Sequence, residues 1–213
     1  MKLKLLLITV ALGAGIAQGF GQSPKSNPSP REIVEAIDRS ASSLQSMSCR
    51  FTQTKELSIL QEKMVSNGVM YYCRQGGRLR WEYQSPYVYT FVMNGNRVMM
   101  RSDERTDVID TSRNQLFGQI ARIMMNTLTG RCLTAAEEFK TEVRVEANEW
   151  IAELTPRRRD MAQFFARIRL HFDPQRRVVS RVEMFEQSGD RTVIDLKNIR
   201  TNVELDEQLF AVD

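Results

Sequence analysis

Turn signals that recur at short intervals between alternating apolar and polar residues are the strongest constraint on the fold. Leu79, Trp81 and Tyr83 alternate with polar residues in one such run, and Asn94-Gly95 ends a later run with a favoured hairpin sequence. Turn signals return roughly every 8–12 residues, which is typical of an antiparallel meander, and the links are too short for parallel βαβ units. The sequence therefore predicts a mostly antiparallel sheet of about ten strands, which is large enough to curl.

Two amphipathic segments predict long helices that can cover the apolar face of this sheet. The first begins at a capping box, Ser29-Pro30-Arg31-Glu32, and keeps helical spacing to about residue 45. The second begins at Ser112-Arg113-Asn114-Gln115 and ends at Gly130, a residue type that favours helix C-termini. Its apolar residues at helical spacing are Leu116, Phe117, Ile120, Ile123, Met124 and Leu128. The pattern alone leaves open whether helices and sheet enclose a solid core or a cavity.

The N-terminal 21 residues have the pattern of a secretory signal peptide. Lys2 and Lys4 precede the apolar run Leu5–Ile16, which is too short to span a bilayer. Cleavage after Gly19 or Gly21 fits the preference for small residues at this site, and a buried N-terminal helix is the alternative interpretation. We therefore expect an exported protein with a flexible mature N-terminus over residues 22–29 and a single domain over residues 30–213.

Charge and motif content argue against nucleic-acid binding and catalysis. The net charge of +4 includes Lys2 and Lys4, and basic residues are spread among acidic ones rather than clustered with aromatics. Phosphate-loop, zinc-protease and serine-hydrolase motifs are absent from the sequence, and His171 is its only histidine. We therefore expect no catalytic residues, no metal site and no cofactor. The runs Arg157-Arg158-Arg159 and Arg176-Arg177 indicate solvated turns or, alternatively, docking to an acidic partner or anionic lipid.

Methionine is the unusual residue in the composition, with 11 in the chain. Met93, Met124 and Met184 fall on faces that the patterns predict to point inward. Because methionine is flexible and polarizable, it is over-used where a surface adapts to varied apolar ligands. Ordinary core filling is the alternative interpretation.

Several segments, taken in order, resemble the outer-membrane lipoprotein carrier (LolA) family. The family has a Phe-x-Gln strand, a glycine opening the second strand, an Arg-Trp-x-Tyr-x-x-Pro strand and a short hairpin. The corresponding residues here are Phe51-Thr52-Gln53, Gly68, Arg80 to Pro86, Asn94-Gly95, and in the C-terminal half Leu154-Thr155-Pro156 and Leu209-Phe210. The resemblance covers roughly residues 30–213.

The resemblance implies a mainly β, α+β fold, in which an incomplete antiparallel barrel of about eleven strands has helices over its mouth. It also implies a monomeric periplasmic carrier without a cofactor. Such a carrier takes acylated lipoproteins from an inner-membrane ABC-type release complex and delivers them to an outer-membrane acceptor. The lipid-binding lining that we expect comprises Phe51, Leu79, Trp81, Tyr83, Phe91, Met93, Phe117, Ile120, Ile123, Met124 and Leu128.

The lid latch of the family has two candidate counterparts in this sequence. Family members carry Arg-Pro after the second strand, and that arginine holds the lid closed through hydrogen bonds to the lid-helix backbone. Here the stretch is Arg74-Gln75-Gly76-Gly77. Arg74 is the nearest match, Gln75 is the alternative, and the absent proline suggests a looser lid.

The cysteines permit one further hypothesis. The chain has three, so at least one thiol stays free or pairs with another molecule. If the first two strands pair through a turn near residues 59–62, Cys49 and Cys73 fall almost opposite each other and a disulfide could join them.

Two other functions compete with the carrier hypothesis. A periplasmic binding module on the same half-barrel could sense lipids or lipoproteins for a membrane-bound regulator, although such sensors usually carry an extra domain. A hydrolase acting on lipid or glycan should depend on a specific carboxylate or on His171.

Overall fold

A computed structural model describes residues 27–113 and 123–212. The predicted signal peptide, residues 22–26 of the predicted flexible N-terminus, Phe117 and Ile120 lie outside the described residues. The described strands are β1 Ser46–Leu57, β2 Glu62–Cys73, β3 Arg78–Ser85, β4 Tyr89–Asn94, β5 Arg97–Ser102, β6 Thr106–Asp110, β7 Phe139–Glu146, β8 Glu149–Pro156, β9 Phe165–Phe172, β10 Val179–Glu186 and β11 Arg191–Thr201. The helices are α1 Pro30–Ser43, α2 at residues 123–129, and α3 Arg159–Ala162, with 3₁₀ turns at Arg131–Thr134 and Glu207–Phe210.

The strands form one antiparallel sheet in the order β6-β5-β4-β3-β2-β1-β11-β10-β9-β8-β7. Every neighbour in the sheet is also a neighbour along the chain, except that β1 pairs with β11 and so joins the two halves. Strands β6 and β7 form its two edges, so the sheet is an open half-barrel. The predicted half-barrel fold is confirmed.

The meander sorts its links onto two ends of the sheet. Residues 58–61, 86–88, 103–105, 157–164 and 187–190 connect strands at one end, which we call the cavity end. Residues 74–77, 95–96, 147–148 and 173–178 connect them at the other, which we call the helix end. The hairpin predicted at Asn94-Gly95 is present, with its two-residue loop at Gly95-Asn96. Gly95 has a positive φ, as do Ala147 and Asn148 in the β7–β8 turn, and tight hairpin turns favour such residues.

Helix α1 fills the concave face at the helix end. Its predicted capping box is present, because the Ser29 hydroxyl accepts from the Glu32 amide while the Glu32 carboxylate accepts from the Ser29 amide at 2.7 Å. Ile33 and Ile37 are then directed into the core, where they are fully buried. Gly130 follows α2 with φ +80°, as its predicted C-cap role requires, and a Cβ there would lie 2.8 Å from Ile37.

The C-terminal segment supports the convex face. Phe210 and Val212 pack with Val92 and Met99 in a second hydrophobic cluster, separate from the main core. The Asn94 side-chain amide donates to the Phe210 carbonyl at 3.0 Å and fixes the C-terminal segment against the β4–β5 hairpin turn. Both faces of strands β4 and β5 are therefore covered.

The disulfide hypothesis is wrong. Cys49 lies opposite Met70 and Cys73 lies opposite Ser46, so the two cysteines are three register positions apart. Because an odd offset places side chains on opposite faces, Cys49 points into the main core and Cys73 into the convex cluster. All three thiols are free.

Candidate functional site

An apolar cavity of about 580 Å³ lies on the concave face near the cavity end. Its walls come from strands β1, β3, β9, β10 and β11 and from helices α2 and α3. The lining residues are Gln53, Lys55, Trp81, Tyr83, Ile123, Met124, Thr127, Leu128, Met161, Phe164, Phe165, Ile168, Val182, Met184, Glu186, Thr192 and Ile194. This volume lies within the usual range of small-molecule binding pockets.

An aromatic cluster separates the cavity from the packed core. The Phe51 and Trp81 rings are 4.4 Å apart, and the Tyr83 ring meets Phe51 edge to face at 5.2 Å. Phe51 lies over Gly68, where the missing side chain makes room for its ring. Trp81 and Tyr83 therefore present apolar surface to the cavity, while Phe51 supports them from the core side.

Apart from Thr127 of α2, the polar lining residues form one strip of the cavity wall. The Tyr83 hydroxyl donates to Gln53 Oε1 at 3.0 Å, and burial raises the pKa of Tyr83, which keeps this hydroxyl protonated. Lys55 Nζ lies 3.3 Å from Glu186 Oε1, which also accepts from the Thr192 hydroxyl at 3.2 Å. An elongated apolar ligand can therefore lie against the aromatic and aliphatic wall while a polar end group faces this strip.

The structure places the expected lining residues in two environments. Trp81, Tyr83, Ile123, Met124 and Leu128 line the cavity. Leu79, Phe51 and Met93 are buried in the packed core beside it, and Phe91 is half-buried opposite Trp81 in the neighbouring strand.

Sequence reasoning missed the wall formed by the C-terminal strands and α3. Phe165 and Ile168 of β9, Val182 and Met184 of β10, and Ile194 of β11 line the cavity. Alternation in these strands indicates an apolar face, and Met184 was expected to point inward. The sequence does not show which part of each apolar face the helices leave uncovered, and that part lines the cavity.

Arg74 joins the β2–β3 turn to the C-terminal end of α1. Its guanidinium donates to the Leu44 carbonyl at 2.6 Å and to the Ala41 carbonyl, and its backbone amide donates to the Gln45 carbonyl. Cationic donors suit the unpaired carbonyls at a helix C-terminus. The contact has the form expected of a lid latch, although α1 here packs at the helix end rather than over the cavity.

His171 lies on the convex face, away from the cavity. Its Nδ1 is 2.8 Å from a Glu149 oxygen and its Nε2 is 2.6 Å from a Glu183 oxygen. Glu183 also accepts from Arg191 at 2.6 Å. This histidine therefore belongs to a polar network that joins neighbouring strands. Over residues 27–113 and 123–212, no three acidic, histidine or cysteine side chains are grouped so as to hold a metal ion.

Fold and site together define a class: open antiparallel half-barrels that enclose a ligand-sized apolar cavity. The family model of the outer membrane lipoprotein carrier protein LolA matches residues 42–213, and the chain belongs to this family. An outer-membrane lipoprotein carrier protein of Methylococcus capsulatus is 25% identical over 193 residues, which cover 90% of this chain and 86% of the relative. An outer-membrane lipoprotein carrier protein of Chromohalobacter salexigens is 25% identical over 153 residues, which cover 72% of this chain and 69% of the relative.

Solved structures show the same fold at low identity. An uncharacterized conserved protein from Thermus thermophilus aligns with a TM-score of 0.53 and 10% identity, covering 86% of this chain and 93% of that one. MucB aligns with a TM-score of 0.52 and 13% identity, covering 86% of this chain and 62% of MucB. Within the described ranges, no helix is both long and apolar enough to cross a bilayer.

Proposed function

We propose that this protein is a periplasmic carrier that shields the acyl chains of lipoproteins in its cavity between the inner and outer membranes. The observation that carries the proposal is the apolar cavity of about 580 Å³, bounded by aromatic, aliphatic and methionine side chains. Family membership and the names of its carrier relatives support the same role. The N-terminal signal pattern supports export, with a mature chain that begins near Gly19 or Gly21 and acts as a monomer.

The energetics of acyl transfer favour a cavity of this kind. Each CH₂ group kept from water is worth about 0.8 kcal/mol, so two or three long chains represent a cost on the order of 20–30 kcal/mol in water. A carrier must hide most of this surface and still release it. Met124, Met161 and Met184 give the wall side chains that adapt to chains of different shape. No covalent step is required, so the proposed activity is binding and release.

The polar strip can contact the polar end of each acyl chain, where the chain is joined to the lipoprotein outside the cavity. Acyl chains join a lipoprotein through ester and amide groups, which accept hydrogen bonds. The strip offers side chains that can contact these ester and amide groups near the cavity end, namely Gln53, Lys55 and Thr192. We propose that cargo arrives from an ABC-type release complex and leaves to an outer-membrane acceptor, and that Arg74 acts as the latch by holding the C-terminal end of α1 in place during transfer.

The test is whether the mature protein, purified from the periplasm of cells that make acylated lipoproteins, retains acyl ligand in native mass spectrometry. We expect bound species in the wild type and their loss in Met184→Glu, because a carboxylate within the apolar wall is costly to bury. Val108→Glu is the matched control, since Val108 is 44% exposed on the edge strand β6. A wild type without acyl ligand, which also fails to take lipoproteins from inner-membrane vesicles, would overturn the proposal.

A further inference from the structure

We propose that the cavity end of the half-barrel docks directly on an anionic lipid bilayer, with the tip of the β1–β2 hairpin inserted among the lipids. The inference deepens the proposed carrier function, because it identifies the surface at which acyl chains leave or enter the cavity. It rests on the shape of the hairpin, its rigid attachment to the cavity entrance, and the charge of the adjoining residues.

The β1–β2 hairpin projects beyond the neighbouring strand. The last β2 residue paired with β3 is Asn67, so residues 62–66 extend past β3 by about 16 Å. The turn at its tip places two aliphatic side chains in solvent, Ile59 at 87% exposed and Leu60 at 63% exposed. Met64, 53% exposed, pairs with the cavity residue Lys55, and paired residues share a face of the sheet. The projecting apolar surface therefore continues towards the cavity.

Hydrogen bonds fix this tip to the cavity entrance. The Ser58 amide and hydroxyl donate to the Asp190 carboxylate at 3.0 and 3.1 Å. In the same β10–β11 link, the Gln187 amide donates to the Phe164 carbonyl at 3.0 Å. Phe164 lines the cavity and is also 55% exposed. Hairpin tip, β10–β11 link and cavity entrance thus form one continuous edge.

The same edge carries three consecutive exposed arginines, Arg157, Arg158 and Arg159, which lead into α3. The Gln187 side chain donates to the Ala162 carbonyl at 2.8 Å and ties α3 to the β10–β11 link. Three acidic residues lie near the tip. Glu56 is paired with Lys63 at 2.9 Å and Asp190 accepts from Ser58, whereas Glu62 is exposed. Arginines beside a projecting aliphatic tip match lipid phosphates beside acyl chains.

A bilayer fits this surface better than a protein partner does. Ile59 and Leu60 project from a narrow turn, whereas a stable protein interface needs a broad complementary patch of about 800 Å² per partner. Insertion into lipid needs no complementary pocket. It also brings Phe164 and the cavity entrance to the surface on which acyl chains are anchored.

Vesicle flotation of the mature protein tests the inference, with vesicles of phosphatidylcholine alone or mixed with phosphatidylglycerol. We expect binding that is stronger on the anionic vesicles and weaker as salt rises. Ile59→Ser/Leu60→Ser should weaken binding by about tenfold or more, and Arg157→Gln/Arg159→Gln should remove the preference for anionic vesicles. Val108→Ser is the matched control for an exposed apolar side chain elsewhere.

Acyl-ligand retention, measured on the same preparations, separates the two proposals. The tip variants should retain ligand as the wild type does. Three results would overturn the docking inference and leave the carrier proposal standing, provided that the wild type retains ligand. The wild type does not float, it floats equally well after the tip substitutions, or it floats only when the vesicles carry an outer-membrane protein. A wild type that floats through its tip but holds no acyl ligand supports docking and counts against the carrier.

Discussion

At the scale of single residues, Gly68 shows how one missing side chain sets up the cavity. A Cβ at this position would lie 1.9 Å from the Glu82 carbonyl oxygen and 2.6 Å from the Phe51 ring. The register between β2 and β3 also shifts between Asn67 and Gly68. The Phe51 ring can therefore lie over Gly68 and support Trp81 and Tyr83 at the cavity.

Gly68→Ala should lower the free energy of unfolding by about 1–3 kcal/mol, because neither the Glu82 backbone nor the buried Phe51 ring can move away freely. Urea unfolding measures the change. Gly95→Asn is the control, since nothing lies within 4 Å of its Cβ position and asparagine tolerates the positive φ there. Equal stability of Gly68→Ala and wild type would show that the close approach is not a constraint.

Glu183 is a buried carboxylate whose charge depends on two partners. Burial opposes its ionisation, but hydrogen bonds from Arg191 and His171 outweigh this, and the pKa of Glu183 is lowered from 4.5. A carboxylate with a lowered folded-state pKa stabilises the fold fully above its unfolded pKa. That contribution disappears as the pH falls through the folded-state value.

Glu183→Gln should therefore be less stable than wild type by about 2 kcal/mol at neutral pH, and the difference should shrink at acid pH, as the wild-type carboxyl takes up its proton. Urea unfolding curves at both pH values measure it. A difference that is the same at both would contradict the assigned role of the charge.

Single residues also show where sequence patterns stop being informative. Leu79 and Trp81 lie on the same face of β3, two residues apart, yet Leu79 is buried in the core and Trp81 lines the cavity. Alternation identifies the concave face of a strand, but the placement of α1 decides which part of that face is covered. The strand register is also not visible in the sequence. Cys49 and Cys73 were expected to lie opposite each other, but the observed register places them on opposite faces of the sheet.

At the scale of elements, α1 was the most predictable part of the chain. Ser29 and Glu32 form the predicted capping box, and the apolar spacing places Ile33 and Ile37 in the core. The contact of its C-terminal end with Arg74 was less predictable from local pattern, because it joins residues about 30 positions apart and follows from the β1–β2 pairing.

Arg74→Ala should free the last turn of α1. Two carbonyl acceptors lose a charged donor, so we expect the free energy of unfolding to fall by about 2 kcal/mol. Amide hydrogen exchange over the C-terminal turn of α1 should accelerate, with partial recovery in Arg74→Lys. Arg50→Ala is the control, since Arg50 is exposed on β1. Unchanged exchange in α1 would contradict the latch.

At the scale of the whole molecule, the meander was predictable because each hairpin carries its own turn signal. The pairing of β1 with β11, which joins the two halves, has no local signal in the sequence and was not predicted. The cavity depends on this pairing, since Gln53 and Lys55 of β1 pair with Ile194 and Thr192 of β11 and the four residues form one continuous part of the wall. An open sheet with α1 at one end leaves its other end free to hold a ligand.

Photo-crosslinking with a lipopeptide that carries a diazirine in its acyl chain tests this arrangement most directly. If acyl chains occupy the cavity, peptide mapping should find label on Trp81, Ile168 and Met184, and excess unlabelled lipopeptide should suppress it. Label spread over convex residues such as Val108, or concave residues left unlabelled at saturating ligand, would contradict binding in the cavity.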